Sequence, residues 1–323
     1  MKNALMIITI NLLFTAVIFS QKNGTHAVEL GTVDWLRNFD EAIVESSNKD
    51  KDVLILFQEV PGCSTCRNYG QDVLSHPLMV DAIENLFIPL AIHNNKGGED
   101  KKILEKYNEP TWNNPVVRIV NANGIDIVDR VNRNYSSLGL LMAMISALKS
   151  SKKEVPEYLK ILEQELLAES KNIEEKTYSM CCFWSGEKHL GKLDGVVGTE
   201  AGFEGGKEVV KVLFDPNVLS ESDLTEHAAT AKCSPLNTKG KFQFSEKDTK
   251  YQLQHSNFKY LPLSELQRTK INSALGSGED AKKYLSPTQL KWFYKLPELS
   301  NHRKELYKCN LKEAWYLMLE IAG

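Results

Sequence analysis

Cysteine is the residue type in this sequence whose spacing most clearly suggests chemistry. Two pairs are close together in the chain, and two further cysteines stand alone. The six are Cys63 and Cys66, Cys181 and Cys182, Cys233, and Cys309. A chain of 323 residues can bury an adequate core without covalent staples, so six scattered cysteines do not indicate a disulfide scaffold. The close pairs instead predict thiol chemistry.

The first pair follows a predicted buried strand. Residues 53–57 are Val-Leu-Ile-Leu-Phe, Pro61 and Gly62 make a turn, and Cys63-Ser64-Thr65-Cys66 stands where a helix should begin. Amides at a helix N-terminus stabilise a thiolate, so we expect Cys63 to attack and Cys66 to close a disulfide. A zinc site would need a second ligand pair at similar spacing, which the sequence lacks. The alternatives are a structural disulfide or two inert buried thiols.

This part of the chain resembles thioredoxin-like proteins over residues 33–150. The strand, turn, Cys-x-x-Cys and helix match, and so does Asn114-Pro115 at the start of a later strand. The resemblance implies an α/β domain in which Pro115 is the cis proline that faces the cysteine pair; the alternative is an ordinary proline at the start of a strand. The loop Val-Pro-Gly-Cys-Ser-Thr-Cys lacks the tryptophan that precedes the pair in thioredoxin itself.

The second pair opens a succession of three motifs. They are Cys182-Phe183-Trp184-Ser185-Gly186-Glu187, a glycine-rich stretch at residues 195–206, and a strand-like run at residues 207–216 that ends in Asp-Pro. In this order they resemble the A-type peptide methionine sulfoxide reductases, best over residues 176–228. The resemblance implies that Cys182 is the nucleophile and Glu208 the acid. It also implies that Phe183, Trp184 and Phe203 bind the substrate, although Phe183 and Trp184 by themselves also read as core residues.

The strand pattern supports Glu208 independently of the resemblance. Glu208, Val210, Val212 and Phe214 alternate onto one apolar face. A carboxyl group among such side chains loses hydration, and could stay protonated and give a proton to a sulfoxide oxygen. The alternative is a solvated glutamate at a strand edge. Glu187 stands one turn into the predicted helix, where we expect it to cap or pair and not to react.

The sequence departs from the reductase pattern in several places. Gly206-Lys207-Glu208 replaces a longer segment that carries a substrate-facing tyrosine in the family, and Phe203 stands where tyrosine is usual. Asp248 and Tyr251 are the nearest candidates for a later Asp and Tyr pair, at the wrong spacing. Cys181 replaces the usual glycine before the nucleophile.

A thiol is needed to resolve the sulfenic acid that such a reaction leaves on Cys182. Cys233 and Cys309 are the candidate resolving residues. Their alternatives are buried free thiols or a disulfide with each other. Cys181 is a poor candidate, because adjacent cysteines form only strained disulfides.

The pattern along the chain divides it into four parts. Lys2 and the apolar run at residues 4–19 predict a signal peptide at residues 1–20, with an uncleaved anchor as the alternative. A thioredoxin-like domain at residues 28–150, a linker helix at 151–175 and a reductase A-like domain at 176–323 follow. The linker helix was expected to let one domain swing towards the other. An exported protein would work in the periplasm or outside the cell.

Composition agrees with an ordinary globular protein. Charged residues make up 25% and hydrophobic residues 42%, and the net charge of −3 does not indicate a basic surface for nucleic-acid binding.

The fold predicted is an α/β thioredoxin-like domain followed by an α+β methionine sulfoxide reductase A-like domain. The predicted function is reduction of methionine S-sulfoxide in peptides or proteins, with a thiol reductant as partner and without metal, organic cofactor or stable membrane insertion after processing. The alternatives are a thiol-disulfide oxidoreductase whose second domain is not catalytic, and a peptide-binding module.

Overall fold

A computed structural model describes residues 27–112, 114–169, 171–236, 240–299 and 304–322. The predicted signal peptide at residues 1–20 lies outside the described residues. None of the helices in the described part of the chain has both the length and the apolar character that a membrane crossing requires.

The first half of the chain is built on a four-stranded sheet. All six residues of its strand β1 are buried, and the first five are apolar, as a strand with helices on either side requires. The sheet order is β2-β1-β3-β4, with β1 parallel to β2 and antiparallel to β3. In chain order the elements are α1 (Phe39–Lys49), β1 (Val53–Gln58), α2 (Ser64–Asn68), α3 (Pro77–Leu86), β2 (Ile88–His93), α4 (Glu99–Lys106), β3 (Val116–Val120), β4 (Val131–Asn132) and α5 (Ser137–Ser150).

Helix α4 begins with the charged run at residues 99–102, a composition that by itself favours a solvated loop. The reason lies one turn further on, where Leu104 is buried against the sheet and Tyr107 packs edge-on to Phe57. Burial of these side chains stabilises a helix whose charged residues face solvent.

The second half contains a five-stranded antiparallel sheet in the order β8-β5-β7-β6-β9. Helices α7 and α10 pack against each other, and α7 also packs on β6 and β7. The elements are α6 (Glu157–Glu169), β5 (Glu174–Ser179), α7 (Phe183–Gly191), β6 (Val196–Glu204), β7 (Lys207–Phe214), α8 (Glu221–Thr230), β8 (Ser234–Pro235), β9 (Gln243–Phe244), α9 (Tyr251–Gln254), α10 (Glu265–Ser277), α11 (Pro287–Lys295) and α12 (Leu311–Ala322).

The two halves share one hydrophobic core. Helix α6 packs on α5 and buries Tyr158, Leu159 and Leu162 in the same cluster as residues of α3 and α11. Asp81 of α3 also accepts a hydrogen bond of 3.1 Å from the backbone amide of Thr288 in α11. The expectation of a swinging linker is therefore wrong, because moving α6 would expose these apolar side chains to water.

Candidate functional site

Cys63 and Cys66 lie where β1 passes through a turn into α2. Cys63 is the N-cap residue of α2 and is exposed, whereas Cys66 is buried one turn later. Their sulfurs are 3.6 Å apart, the separation of two reduced cysteines. Gly62 permits this turn, because a Cβ there would lie 2.3 Å from the carbonyl oxygen of Glu59. The first thiol is therefore accessible to a partner and the second is covered, the arrangement that attack by Cys63 requires.

The two thiols differ in acidity. A hydrogen bond from the backbone of Cys66 is the main reason that the pKa of Cys63 lies below its ordinary value. Burial raises the pKa of Cys66 to about 12. Cys63 is therefore the more acidic thiol of the pair and Cys66 stays protonated at neutral pH, the order that an attacking and a resolving thiol require.

The loop before β3 contacts Cys66. The Asn114–Pro115 peptide bond is cis and Pro115 is buried. The thiol of Cys66 donates a hydrogen bond of 2.7 Å to Oδ1 of Asn114. Trp112 in the same loop is 76% exposed, so a large apolar ring stands in solvent in the loop that contacts Cys66. Sequence analysis did not single out Trp112, although exposed aromatic rings often mark a binding surface.

A buried carboxylate also reaches this turn. Glu29, in a short 3-10 turn before α1, accepts a hydrogen bond of 2.9 Å from the amide of Gly62. Gln58 connects the same elements, because its side chain donates to the carbonyl oxygens of Glu29 and Cys66. The contacts of Glu29 with Gly62 and with Gln58 join residues 33 and 29 positions apart in sequence, and no local pattern signals them.

Cys182 occupies the matching position in the second half. It is the half-buried N-cap residue of α7, just after β5. The backbone amide of Phe183 donates a hydrogen bond of 3.1 Å to Oε2 of Glu208. The carboxyl group of Glu208 therefore lies at the residue next to Cys182. Gly186 allows α7 to pack closely on the side chain of Met180, the residue after β5, since a Cβ there would meet the Met180 sulfur.

Aromatic rings line the same end of α7. Phe183 packs edge-on to Trp184 at 6.0 Å and to Phe203 of β6 at 5.6 Å between ring centroids. Trp184 stacks on Tyr251 at 3.9 Å. The structure thus brings the three predicted substrate-binding residues together and adds Tyr251, which the sequence offered only at an unexpected spacing. Asp248, the other residue of that pair, accepts from the hydroxyl of Ser245 within its own turn.

Glu187 is fully buried and connects α7 to neighbouring segments through hydrogen bonds. Its carboxyl group accepts hydrogen bonds from the amide of Lys250 at 2.7 Å, from Thr249 at 3.1 Å and from Asn272 at 3.3 Å. Burial raises the pKa of Glu187. These contacts tie α7 to the segment before α9 and to α10, so the pairing role expected for Glu187 agrees with its environment.

The remaining cysteines differ in position. Cys233 is buried in the same hydrophobic cluster as Phe183, its thiol is 4.0 Å from the sulfur of Met180, and burial raises its pKa. Cys309 instead lines a cavity of about 530 Å³ between the halves, together with His76 and Glu165. Cys181 is exposed beside Cys182.

In comparison with known proteins, the first half of the chain matches a described family. Residues 34–122 match a family model described as thioredoxin-like. The first half is a thioredoxin-like domain, and a mixed helix and strand region follows it, which confirms the fold class predicted from the sequence. A structure titled DsbH Oxidoreductase is 15% identical, with a TM-score of 0.32, and the match covers 40% of this chain and 92% of that one.

Part of the chain is similar to proteins named peptide methionine sulfoxide reductase MsrA. The relative from Methanococcus maripaludis strain C6 is 35% identical over 72 residues, which cover 17% of this chain and 46% of the relative. The relative from Vibrio vulnificus strain CMCP6 is 37% identical over 70 residues, which cover 16% of this chain and 34% of the relative. The chain therefore matches less than half the length of these curated relatives.

Proposed function

We propose that this protein reduces methionine sulfoxide in peptides or proteins at Cys182. The observation that carries the proposal is the contact between Glu208 and the amide of Phe183, which brings a carboxyl group to the residue beside a cysteine at a helix start. The partial similarity to proteins named MsrA and the aromatic rings of Phe183, Trp184 and Phe203 support it. The rings offer an apolar surface for the methyl group of the substrate.

The chemistry follows from these groups. The Cys182 thiolate attacks the sulfoxide sulfur while Glu208 donates a proton to the sulfoxide oxygen, and methionine leaves with Cys182 as the sulfenic acid. A second thiol condenses with the sulfenic acid, releasing water and forming a disulfide. The Cys63 thiolate attacks that disulfide and forms a mixed disulfide. Cys66 then attacks the sulfur of Cys63, which forms the Cys63–Cys66 disulfide and leaves both cysteines of the second half as thiols. An external thiol reductant restores Cys63 and Cys66.

A turnover assay tests the proposal directly. Both epimers of a methionine sulfoxide peptide are offered with dithiothreitol, which replaces the cysteine pair as reductant. We expect turnover of the S epimer, its loss in Cys182→Ser, and its retention in Cys63→Ser. Turnover that survives Cys182→Ser, or no turnover of either epimer by the reduced wild type, would rule the proposal out.

A second candidate function is thiol-disulfide exchange on other proteins. The exposed Cys63 and the exposed ring of Trp112 in the adjoining loop favour it, because together they offer a nucleophile and a surface for a partner chain. In this case Cys63→Ser would abolish reduction of a disulfide substrate such as insulin, whereas Cys182→Ser would leave it unchanged.

We further propose that the protein is exported, on the strength of the charged and apolar pattern at residues 1–20. Mass spectrometry of the mature N-terminus after cell fractionation tests this. Intact Met1 on a cytoplasmic protein would contradict export.

A further inference from the structure

Glu59 lies beside the reduced cysteine pair. Its carboxylate and the sulfurs of Cys63 and Cys66 all lie within 4.8 Å of one another. Sequence spacing argued against a metal here, because no second cysteine or histidine pair follows Cys66. The third group comes instead from four residues before Cys63, where the turn at residues 60–62 folds the chain back on itself.

The distances suit a tetrahedral metal ion. Two thiolates bound to zinc at about 2.3 Å lie about 3.8 Å apart, and a thiolate and a carboxylate oxygen lie about 3.5 Å apart. The sulfurs of Cys63 and Cys66 are already 3.6 Å apart. Two thiolates and a carboxylate would carry three negative charges towards a divalent cation, and such soft sulfur ligands favour zinc over magnesium or calcium.

The surroundings hold the three groups in place. Asn95 accepts a hydrogen bond from the amide of Val60 and donates one to the carbonyl oxygen of Pro61, which secures the loop between Glu59 and Cys63. Gln58 donates to the carbonyl oxygen of Cys66. Because Cys63 is exposed, solvent can supply the fourth ligand. Supporting contacts of this kind tune metal affinity.

We propose that Glu59, Cys63 and Cys66 form a site for Zn²⁺ or a similar thiophilic divalent cation in the reduced protein. Binding replaces the two thiol protons with two metal-sulfur bonds and releases both protons to solvent. The site exists only while the cysteines are reduced, since a disulfide removes both thiolates. Metal binding therefore competes with redox turnover of the same pair, and the proposed ligands do not include Cys182.

Cobalt(II) is the probe, because its thiolate charge-transfer absorption reports the ligands. The full-length protein is reduced, freed of reductant without air, and titrated with Co²⁺. We expect one equivalent to produce a thiolate band that Zn²⁺ displaces. The Cys63→Ser, Cys66→Ser double variant should lack it, which separates this site from the other four cysteines. Wild type converted to the disulfide with diamide should also lack the band, and this control keeps the native sequence.

Glu59→Gln tests the carboxylate. Glutamine keeps the shape, so we expect the band to remain but Co²⁺ to bind at least about tenfold more weakly, the range seen when even supporting groups of a metal site are changed. Glu105→Gln is the matched control, because its side chain is 67% exposed on α4, and its affinity should equal that of wild type. An unchanged affinity in Glu59→Gln, or a band that persists in the double serine variant, would overturn the proposal.

Discussion

The backbone amide of Phe183 donates a hydrogen bond of 3.1 Å to Oε2 of Glu208. This contact joins the first residue of α7 to a strand 25 residues further along the chain. It brings a carboxyl group to the helix end at which Cys182 is the N-cap residue. The proposed proton transfer depends on this arrangement.

Glu208→Gln should reduce sulfoxide turnover by about 10²- to 10⁴-fold, the usual contribution of a general acid. Glutamine still accepts the hydrogen bond from Phe183 but has no proton of comparable acidity to give. Single-turnover kinetics with a sulfoxide peptide measure the effect. Glu200→Gln is the control. It alters an ion pair between Glu200 of β6 and Lys211 of β7, the strand that contains Glu208, and should change the rate little. Similar small effects in both variants would remove Glu208 from the mechanism.

Glu187→Gln should act on stability. The carboxyl group of Glu187 is buried and accepts hydrogen bonds from Lys250, Thr249 and Asn272. A glutamine amide in its place would turn an N–H group towards these donors, which then have no acceptor. We expect the free energy of unfolding to fall by about 1–3 kcal/mol, measured by urea denaturation. Glu208→Gln should unfold as wild type does. A stable Glu187→Gln protein with abolished chemistry would show that Glu187 reacts.

Cys233 should resolve the Cys182 sulfenic acid in preference to Cys309. Cys233 follows α8 directly, and the β8 residues after it pair with the end of β5 that leads to Cys182, whereas Cys309 lines the cavity between the halves. Peptide mapping after one turnover of Cys63→Ser should find a disulfide between Cys182 and Cys233. In Cys233→Ser we expect a sulfenic acid that dimedone traps. A disulfide between Cys182 and Cys309 would reverse the assignment.

Alkylation should distinguish Cys63 from Cys66 by pH. Hydrogen bonding lowers the pKa of Cys63. The rate of its reaction with iodoacetamide should therefore increase at a lower pH than the rate for an ordinary thiol, whose pKa is about 8.5. Burial raises the pKa of Cys66 to about 12, so Cys66 should remain unmodified until the solution is strongly alkaline. Mass spectrometry of the reduced protein across a pH series gives both profiles. Earlier modification of Cys66 would contradict this order.

Fully reduced protein should end a single turnover with a disulfide between Cys63 and Cys66. The reason is that both redox sites belong to one chain, and Cys63 and Cys182 are each the N-cap residue of a helix, where a thiolate is favoured. The measurement uses a sulfoxide peptide without added thiol, and Cys66→Ser should trap a mixed disulfide through Cys63. The two halves share one core, so transfer within a chain cannot rely on a swinging linker. The dependence of the rate on protein concentration distinguishes transfer within a chain from transfer between chains. Oxidised Cys182 beside a fully reduced Cys63 and Cys66 would exclude the relay.

The sequence by itself determined the features that depend on short-range pattern. The buried run at residues 53–57 became β1, and the turn after it led to α2 with Cys63 at its cap. The alternation from Glu208 to Phe214 became β7. Such features follow from hydrophobic periodicity and turn residues, which act over a few residues.

Only the tertiary structure decided which distant groups meet. It stacked Tyr251 on Trp184, directed Glu29 to the amide of Gly62, and surrounded Glu187 with hydrogen-bond donors. It also buried α6 in a core common to both halves, although the sequence suggested a tether. These outcomes depend on which apolar faces pack together and on which donor satisfies each buried polar group, and a local pattern contains neither choice.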